Sequence, residues 1–232
     1  MFTPQDIALS RSVRANDLSP RQHRAQRNFR IATSYWLAPL LKMPGASVGE
    51  FHSYAEYLNA GIGEGNPQLS VLIPQPYFVK YQGKPYKPDA LEIVAGQRWV
   101  VELKPRGEMD TAKHAGMTAF FKQYDQSFVV RSNETVLEQE WEAINWHSIV
   151  QMLTIHATLE TTAAEQQLML DWPAEGISTL GDWVDAGDRE SSIYQEIALY
   201  RLAHRGWLHP VFNEGPLDYA TEFHRCHPGE QR

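Results

Sequence analysis

Tyr86-Lys87-Pro88-Asp89 opens the stretch YKPDALEIVAGQRWVVELK, which runs to Lys104. Ala90 to Val94 alternates like a half-buried strand, Ala95-Gly96-Gln97 carries a turn signal, and Arg98 to Val101 is rich in strand formers, so the pattern predicts a β-hairpin. Glu102 and Lys104 lie two residues apart on its second strand and therefore share a face. Asp89 opens the first strand, which lets its carboxylate converge with Glu102 and Lys104. Two carboxylates about 4 Å apart repel by about 4 kcal/mol at an effective dielectric of about 20. A divalent cation between them reverses the sign. Mg2+ takes a few hard oxygens and keeps its other positions for water and substrate phosphate. An ammonium beside the ion, here Lys104, orients an attacking water or offsets charge developing on phosphate. The competing reading is a surface hairpin with ordinary charges.

The 232 residues suffice for one large or two small domains. No apolar run approaches the length of a membrane span, and the first residues lack a charged-then-apolar leader pattern. Cys226 is the only cysteine, which excludes disulfide frameworks and cysteine-based zinc sites within the chain. A cytoplasmic protein with no membrane partner is expected. The net charge of -7 is unevenly spread: residues 1–45 hold seven basic side chains against Asp6 and Asp17, and the acidic excess lies beyond residue 131. The basic arm points to DNA phosphates, with Arg21, Arg24, Arg27 and Lys87 as candidate contacts. The acidic half suits a protein partner with a basic surface.

Residues 1–18 look irregular. Ser19-Pro20 signals a helix that Pro39 ends or kinks. A second helix is expected over 47–60, followed by a loop through Gly61, Gly63, Gly65 and Pro67. Strands are expected at 68–73 and 77–81, a helix at 111–126 and a buried strand at 127–131. Beyond 133 the chain reads as helices at 136–146, 149–157, 161–172, 179–184 and 190–204, with Gly206 as a cap and an extended segment to Phe212. Helix, turn, helix, then hairpin is a winged helix-turn-helix pattern. Its second helix carries Glu190, Glu196, Arg201 and Arg205 and lacks a basic reading face, which favours protein docking. The histidines are too scattered for a zinc site, and Trp141, Trp146, Trp172 and Trp183 read as helix-packing residues. The class is α/β, with a basic arm (1–45), a mixed-sheet core (46–132) and a helical C-terminal domain (133–232).

Five short motifs occur in order: Ser53-Tyr54-Ala55-Glu56, Asn66-Pro67, Gln75-Pro76, Pro88-Asp89 and Glu102-Leu103-Lys104. Arg205-Gly206-Trp207-Leu208 and Gly215-Pro216-Leu217 follow near the C-terminus. With these the chain resembles the TnsA family, endonuclease subunits of Tn-seven-like heteromeric transposases in the PD-(D/E)xK nuclease superfamily. The resemblance implies a restriction-endonuclease-like core and catalytic Glu56, Asp89, Glu102 and Lys104. It implies Mg2+, with Mn2+ able to substitute, on Asp89, Glu102 and the Leu103 carbonyl. Glu56 would serve a second ion or hold a water there, and Gln75 would hydrogen-bond beside the site. The implied substrate is duplex DNA at transposon ends, cut on the 5′ strands. The implied partners are a DDE transposase, TnsB, and a AAA+ ATPase, TnsC, which faces the acidic domain; activity alone is expected to be low. The implied location is the bacterial cytoplasm, at the nucleoid. The glycines at 61–65 depart from the family pattern and leave Glu50 as a rival to Glu56. A stand-alone restriction or defence nuclease, and a non-catalytic scaffold with a winged-helix docking domain, stay open.

Overall fold

The computed structural model describes residues 3–24, 35–45 and 48–226. The fold is mixed α/β and divides into two compact units: Met1–Ala60 with Leu69–Gln139, and Gly61–Gln68 with Glu140–Arg232.

The first unit begins with α1 (Pro4–Ser10) and β1 (Val13–Ala15), where an irregular arm was expected. Thr3 and Asp6 form a reciprocal capping box around Pro4, which starts the helix. The helix expected from Ser19-Pro20 does not form as far as Arg24. Instead Arg21 N–H donates to the Pro76 carbonyl (3.2 Å) and His23 N–H to the Gln75 carbonyl (3.0 Å), so alternate amides are engaged as in a strand edge. Residues 25–34, where that helix would continue, lie outside the described residues, and Arg27 with them. Its expected end is a strand, β2 (Trp36–Pro39), paired antiparallel with β3 (Val48–Phe51). The helix expected from residue 47 therefore starts only at Tyr54.

That helix, α2 (Tyr54–Gly65), continues through the glycines expected to form a loop. A Cβ at Gly61 would overlap the Ala143 carbonyl oxygen, and one at Gly65 would overlap the Trp146 indole. Gly61 and Gly65 are four residues apart and face the same neighbour. The close approach offsets the roughly 1 kcal/mol that glycine costs a helix relative to alanine.

The sheet of this unit is built from β4 (Leu69–Pro74), β7 (Ala90–Val94), β8 (Gln97–Lys104) and β9 (Ser127–Ser132), in the order β4-β7-β8-β9. β5 (Val79–Tyr81) and β6 (Lys84–Tyr86) form a separate small sheet with β1. The expected hairpin is present: Val94 pairs with Gln97 across Ala95 (φ 48°) and Gly96 (φ 80°), a two-residue turn in the left-handed region that matches strand twist. α3 (Thr111–Lys122) returns the chain so that β9 runs parallel to β8. β9 is less buried than expected: only Phe128 is fully covered. Leu91 and Val100 pack with Met117 and Phe121 of α3 on one face of the sheet. Leu72 and Val101 pack with Phe51 and Ala60 on the other. The period-2 alternation of Val100 and Val101 thus feeds two cores. α4 (Asn133–Leu137) closes the unit.

In the second unit the chain breaks earlier than expected, and one helix, α5 (Glu140–Ile155), spans what looked like two. α6 (Thr162–Asp171), β10 (Ile177–Thr179), a 3-10 turn at Leu180–Asp182, α7 (Ile193–His204), β11 (Leu208–Val211) and β12 (Glu222–Arg225) follow. The three strands are antiparallel in the order β10-β12-β11. Trp146, Ile149, Leu168, Ile197 and Phe223 centre the core, and Trp172 stacks on Trp183 with centroids 5.7 Å apart. Trp141 is exposed. Among the described residues no helix is long and apolar enough to cross a membrane.

Gly65→Ala is expected to destabilise the protein by about 1–3 kcal/mol in a denaturant melt, because overpacking against Trp146 exceeds the gain in helix propensity.

Candidate active site

Asp89 is fixed on both sides of its backbone. Its N–H donates to the Val101 carbonyl (3.0 Å), and its carbonyl accepts from Gln75 N–H (2.9 Å). The side chain turns toward β8, where Oδ2 accepts from Leu103 N–H at 2.7 Å. Glu102 and Lys104 emerge on one face of β8 and form an ion pair through Glu102 Oε1. Glu102 is 1% exposed, and its other oxygen, Oε2, has no hydrogen-bond partner. The hairpin register, Ala90 opposite Val101, brings these three residues together.

Glu56 reaches the cluster from the first turn of α2. Ser53 Oγ donates to its Oε1 (2.9 Å), while His52 N–H (3.1 Å) and Gln75 Nε2 (2.5 Å) donate to its Oε2. Ser53 Oγ also accepts from Glu56 N–H (3.2 Å), so Ser53 and Glu56 cap the helix and hold this carboxylate still. Gln75 bends between Pro74 and Pro76 with φ 39°, a left-handed conformation that costs a non-glycine residue about 1–3 kcal/mol. It is 1% exposed, and its Oε1 has no partner. One turn beyond Glu56, Asn59 Nδ2 donates to Glu92 Oε1 (3.0 Å) on β7. Arg131 on β9 grips both oxygens of Glu92 (3.0 and 2.9 Å) and also contacts Asn59. This half-buried clamp ties α2 to the sheet and so sets where Glu56 points.

The electrostatics follow from burial of like charges. Burial raises the Asp89 pKa well above the usual carboxylate range, and Glu102 and Glu56 push the same way against the Leu103 N–H and Lys104. Burial also raises Glu56, with Glu102 adding to it and the three hydrogen bonds opposing. For Lys104, burial disfavours the ammonium, but Glu102, Asp89 and Glu56 outweigh it and the net shift is upward. Two further groups belong here that the sequence reading left out. Tyr86 is pushed up by burial and by the Glu102 and Asp89 carboxylates. Lys113 of α3 sets its ammonium 3.7 Å above the Tyr86 ring centroid. Burial lowers the Lys113 pKa, with Glu102 and Asp89 opposing. Tyr86 stood in the quoted stretch, but nothing in spacing linked it to a residue twenty-seven positions later.

The remaining candidates are placed as follows. Glu50 is buried on β3, its Oε1 3.8 Å from His52 Nε2. Leu103 contributes its N–H to Asp89. Arg21 is exposed and pairs with Asp17 (3.8 Å); Arg24 is exposed. Lys87 Nζ donates to the His23 carbonyl (3.0 Å), which pins the Arg21–Arg24 strip beside Gln75. Among the described residues no three His, Cys, Asp or Glu side chains are gathered closely enough to enclose a metal ion. Glu102 Oε2 and Gln75 Oε1 are buried oxygens of these residues that make no hydrogen bond with a described residue.

A carboxyl whose pKa is raised by folding stabilises the fold while protonated, and that contribution is lost as pH rises through the folded pKa. The metal-free protein should therefore lose stability from the ordinary carboxylate range upward. Asp89→Asn keeps an acceptor for Leu103 N–H. It should raise Tm by about 2–4 °C at about pH 7.5 and leave it unchanged below about pH 4, read by calorimetry. No protein-family model matches the chain, and no curated protein matches it.

Proposed function

We propose that the chain is a metal-dependent DNA endonuclease of PD-(D/E)xK type, acting as the 5′-strand-cutting subunit of a heteromeric transposase. The observation behind this reading is the meeting of Asp89, Glu102 and Lys104 at the hairpin, with Glu56 facing them from α2. Like charges buried together are costly unless a cation or a reaction uses them. The donor set suits a hard divalent ion: carboxylates with one unpartnered buried oxygen, and no soft ligand. Such an ion needs only one or two protein carboxylates, so the lack of a three-ligand cage among the described residues is compatible with Mg2+ or Mn2+.

Asp89, Glu102 and the Leu103 carbonyl would hold the ion, with Glu56 beside it. When bound, it supplies a Lewis acid for phosphate oxygens and lowers the pKa of a water. Lys104 orients the nucleophile in line with the scissile phosphorus, leaving a 3′-hydroxyl and a 5′-phosphate. Lys113, on the Tyr86 side, offsets charge developing on the phosphate. Gln75 fixes one oxygen of Glu56 and so its aim.

The strand order β10-β12-β11, with α7 leading into the β11–β12 pair, supports reading the second unit as a winged helix with α7 as its second helix. The charges of α7 are engaged internally. Glu196 is buried with Arg189 and Tyr200, Arg201 caps the carbonyls of His156 and Leu159, and Arg205 pairs with Glu165. This favours protein docking over DNA reading, with the AAA+ ATPase TnsC as the partner for the acidic domain. TnsB would cut the 3′ strands.

The test is end cleavage in the mixed transposase proteins, comparing wild type with Asp89→Ala and Lys104→Ala. Loss of the 5′-strand cuts by about a hundredfold or more, with 3′-strand cuts intact, is expected. Full 5′ cutting by Asp89→Ala would sink the assignment. Mg2+ should also raise Tm of the wild type and not of Asp89→Asn.

A further inference from the structure

The turn after α1, β1, and β5 with the turn that follows it line a cleft of about 680 Å³ that is separate from the carboxylate cluster. Arg11, Arg14 and Lys80 line it together with exposed Phe78 and Gln82, and none of the lining residues is acidic. Elsewhere Lys104, Lys122, Arg131, Arg189 and Arg205 pair with carboxylates. Arg11, Arg14 and Lys80 form no ion pair with a described residue.

The arrangement is also opposed by its own charge. Arg14 and Lys80 are direct cross-strand partners in the β1–β5 ladder. Like charges at such positions destabilise a sheet. The walls that impose this are fixed. Gln82 N–H donates to the Ser12 carbonyl at 2.7 Å, Ser12 Oγ donates to the Leu9 carbonyl at 2.7 Å, and α3 comes so close at Gly116 that a Cβ there would overlap Ser12 Oγ. A rigid, acid-free cleft that holds two opposed cations side by side is built for a polyanion.

We propose that this cleft binds the DNA backbone beside the scissile phosphate; the proposal rests on the endonuclease reading above. The hairpin that carries Lys80 leads straight to the catalytic strand. Lys80 pairs with Pro85, four residues before Asp89, so at most about 14 Å along the chain and about 5 Å across the ladder, about 19 Å together, separate Lys80 from Asp89. That is about five to six base-pair steps at 3.4 Å per step, within reach of phosphates flanking the cut. Phe78 offers an apolar face to a deoxyribose between them.

The test is equilibrium binding of the full chain to a short labelled duplex in metal-free buffer across a salt series. Arg11→Ala/Arg14→Ala/Lys80→Ala should weaken binding at least about tenfold at about 0.1 M salt and reduce the slope of log K against log salt by about 3. Arg98→Ala, which removes an exposed charge outside the cleft, should bind within about twofold of wild type. Should the alanine variant fail to fold, Arg14→Gln/Lys80→Gln tests the same prediction with a slope loss of about 2. An unchanged slope, or an equal loss from Arg98→Ala, overturns the assignment. So does competition by a mononucleotide as effective as duplex at equal phosphate concentration. The two readings fail separately. If the cleft variant binds like wild type while Asp89→Ala abolishes cutting, only the cleft falls. If the cleft variant loses binding while Asp89→Ala still cuts, the active-site assignment falls and with it the cleft's place beside the cut, while DNA binding by the cleft stands.

Discussion

Half-buried Asp89 and buried Glu102 and Glu56 lie within electrostatic reach of one another, and among the described residues the cation paired within the group is Lys104. Each carboxylate makes ionisation of its neighbours harder, and burial removes the screening that would relieve it. Such a cluster persists only where the backbone beneath it is over-determined. The hairpin register, the two backbone hydrogen bonds of Asp89, the capping of α2 by Ser53 and the left-handed bend at Gln75 each hold one member in place. The Asn59–Glu92–Arg131 clamp then fixes α2 against the sheet. These features form a single device: a rigid frame that forces like charges together.

The same logic recurs on a smaller scale at Arg14 and Lys80, where two cations oppose each other on paired strands. One cluster presents unsatisfied oxygen and the other unsatisfied positive charge, and they lie at the two ends of the segment that runs from β5 through β6 to Asp89. In the second unit charge is handled in the opposite way. Glu196 with Arg189 and Glu165 with Arg205 are matched ion pairs, and Glu64 hydrogen-bonds His204, so these buried or half-buried carboxylates are engaged structurally. The difference is in keeping with the proposed division between a reacting unit and a docking unit.

Much of the centre was legible before folding. The strand alternation from Ala90 to Val94, the Ala95-Gly96 turn and the two-residue spacing of Glu102 and Lys104 depend on local periodicity, which sequence records directly. α3 and α7 were legible for the same reason, through apolar faces with helical spacing. The N-terminal third was misread because its local signals were overridden. Ser19-Pro20 is a good helix start, yet the amides after it are taken by the Gln75 and Pro76 carbonyls. Gly61, Gly63 and Gly65 favour a loop, yet the helix runs through them because a neighbouring helix comes too close for any side chain at Gly61 or Gly65.

Local pattern was enough for the hairpin, the identity of its three charged residues and the face that Glu102 and Lys104 share, because those follow from a repeat of two along one strand. Tertiary structure alone decided that Glu56 faces Asp89, that Tyr86 and Lys113 join them, and that Arg14 stands opposite Lys80. These pairs lie far apart in the chain, and their meeting depends on helix placement and strand register. Both are set by which surfaces pack most closely, a property of the whole fold rather than of any short window.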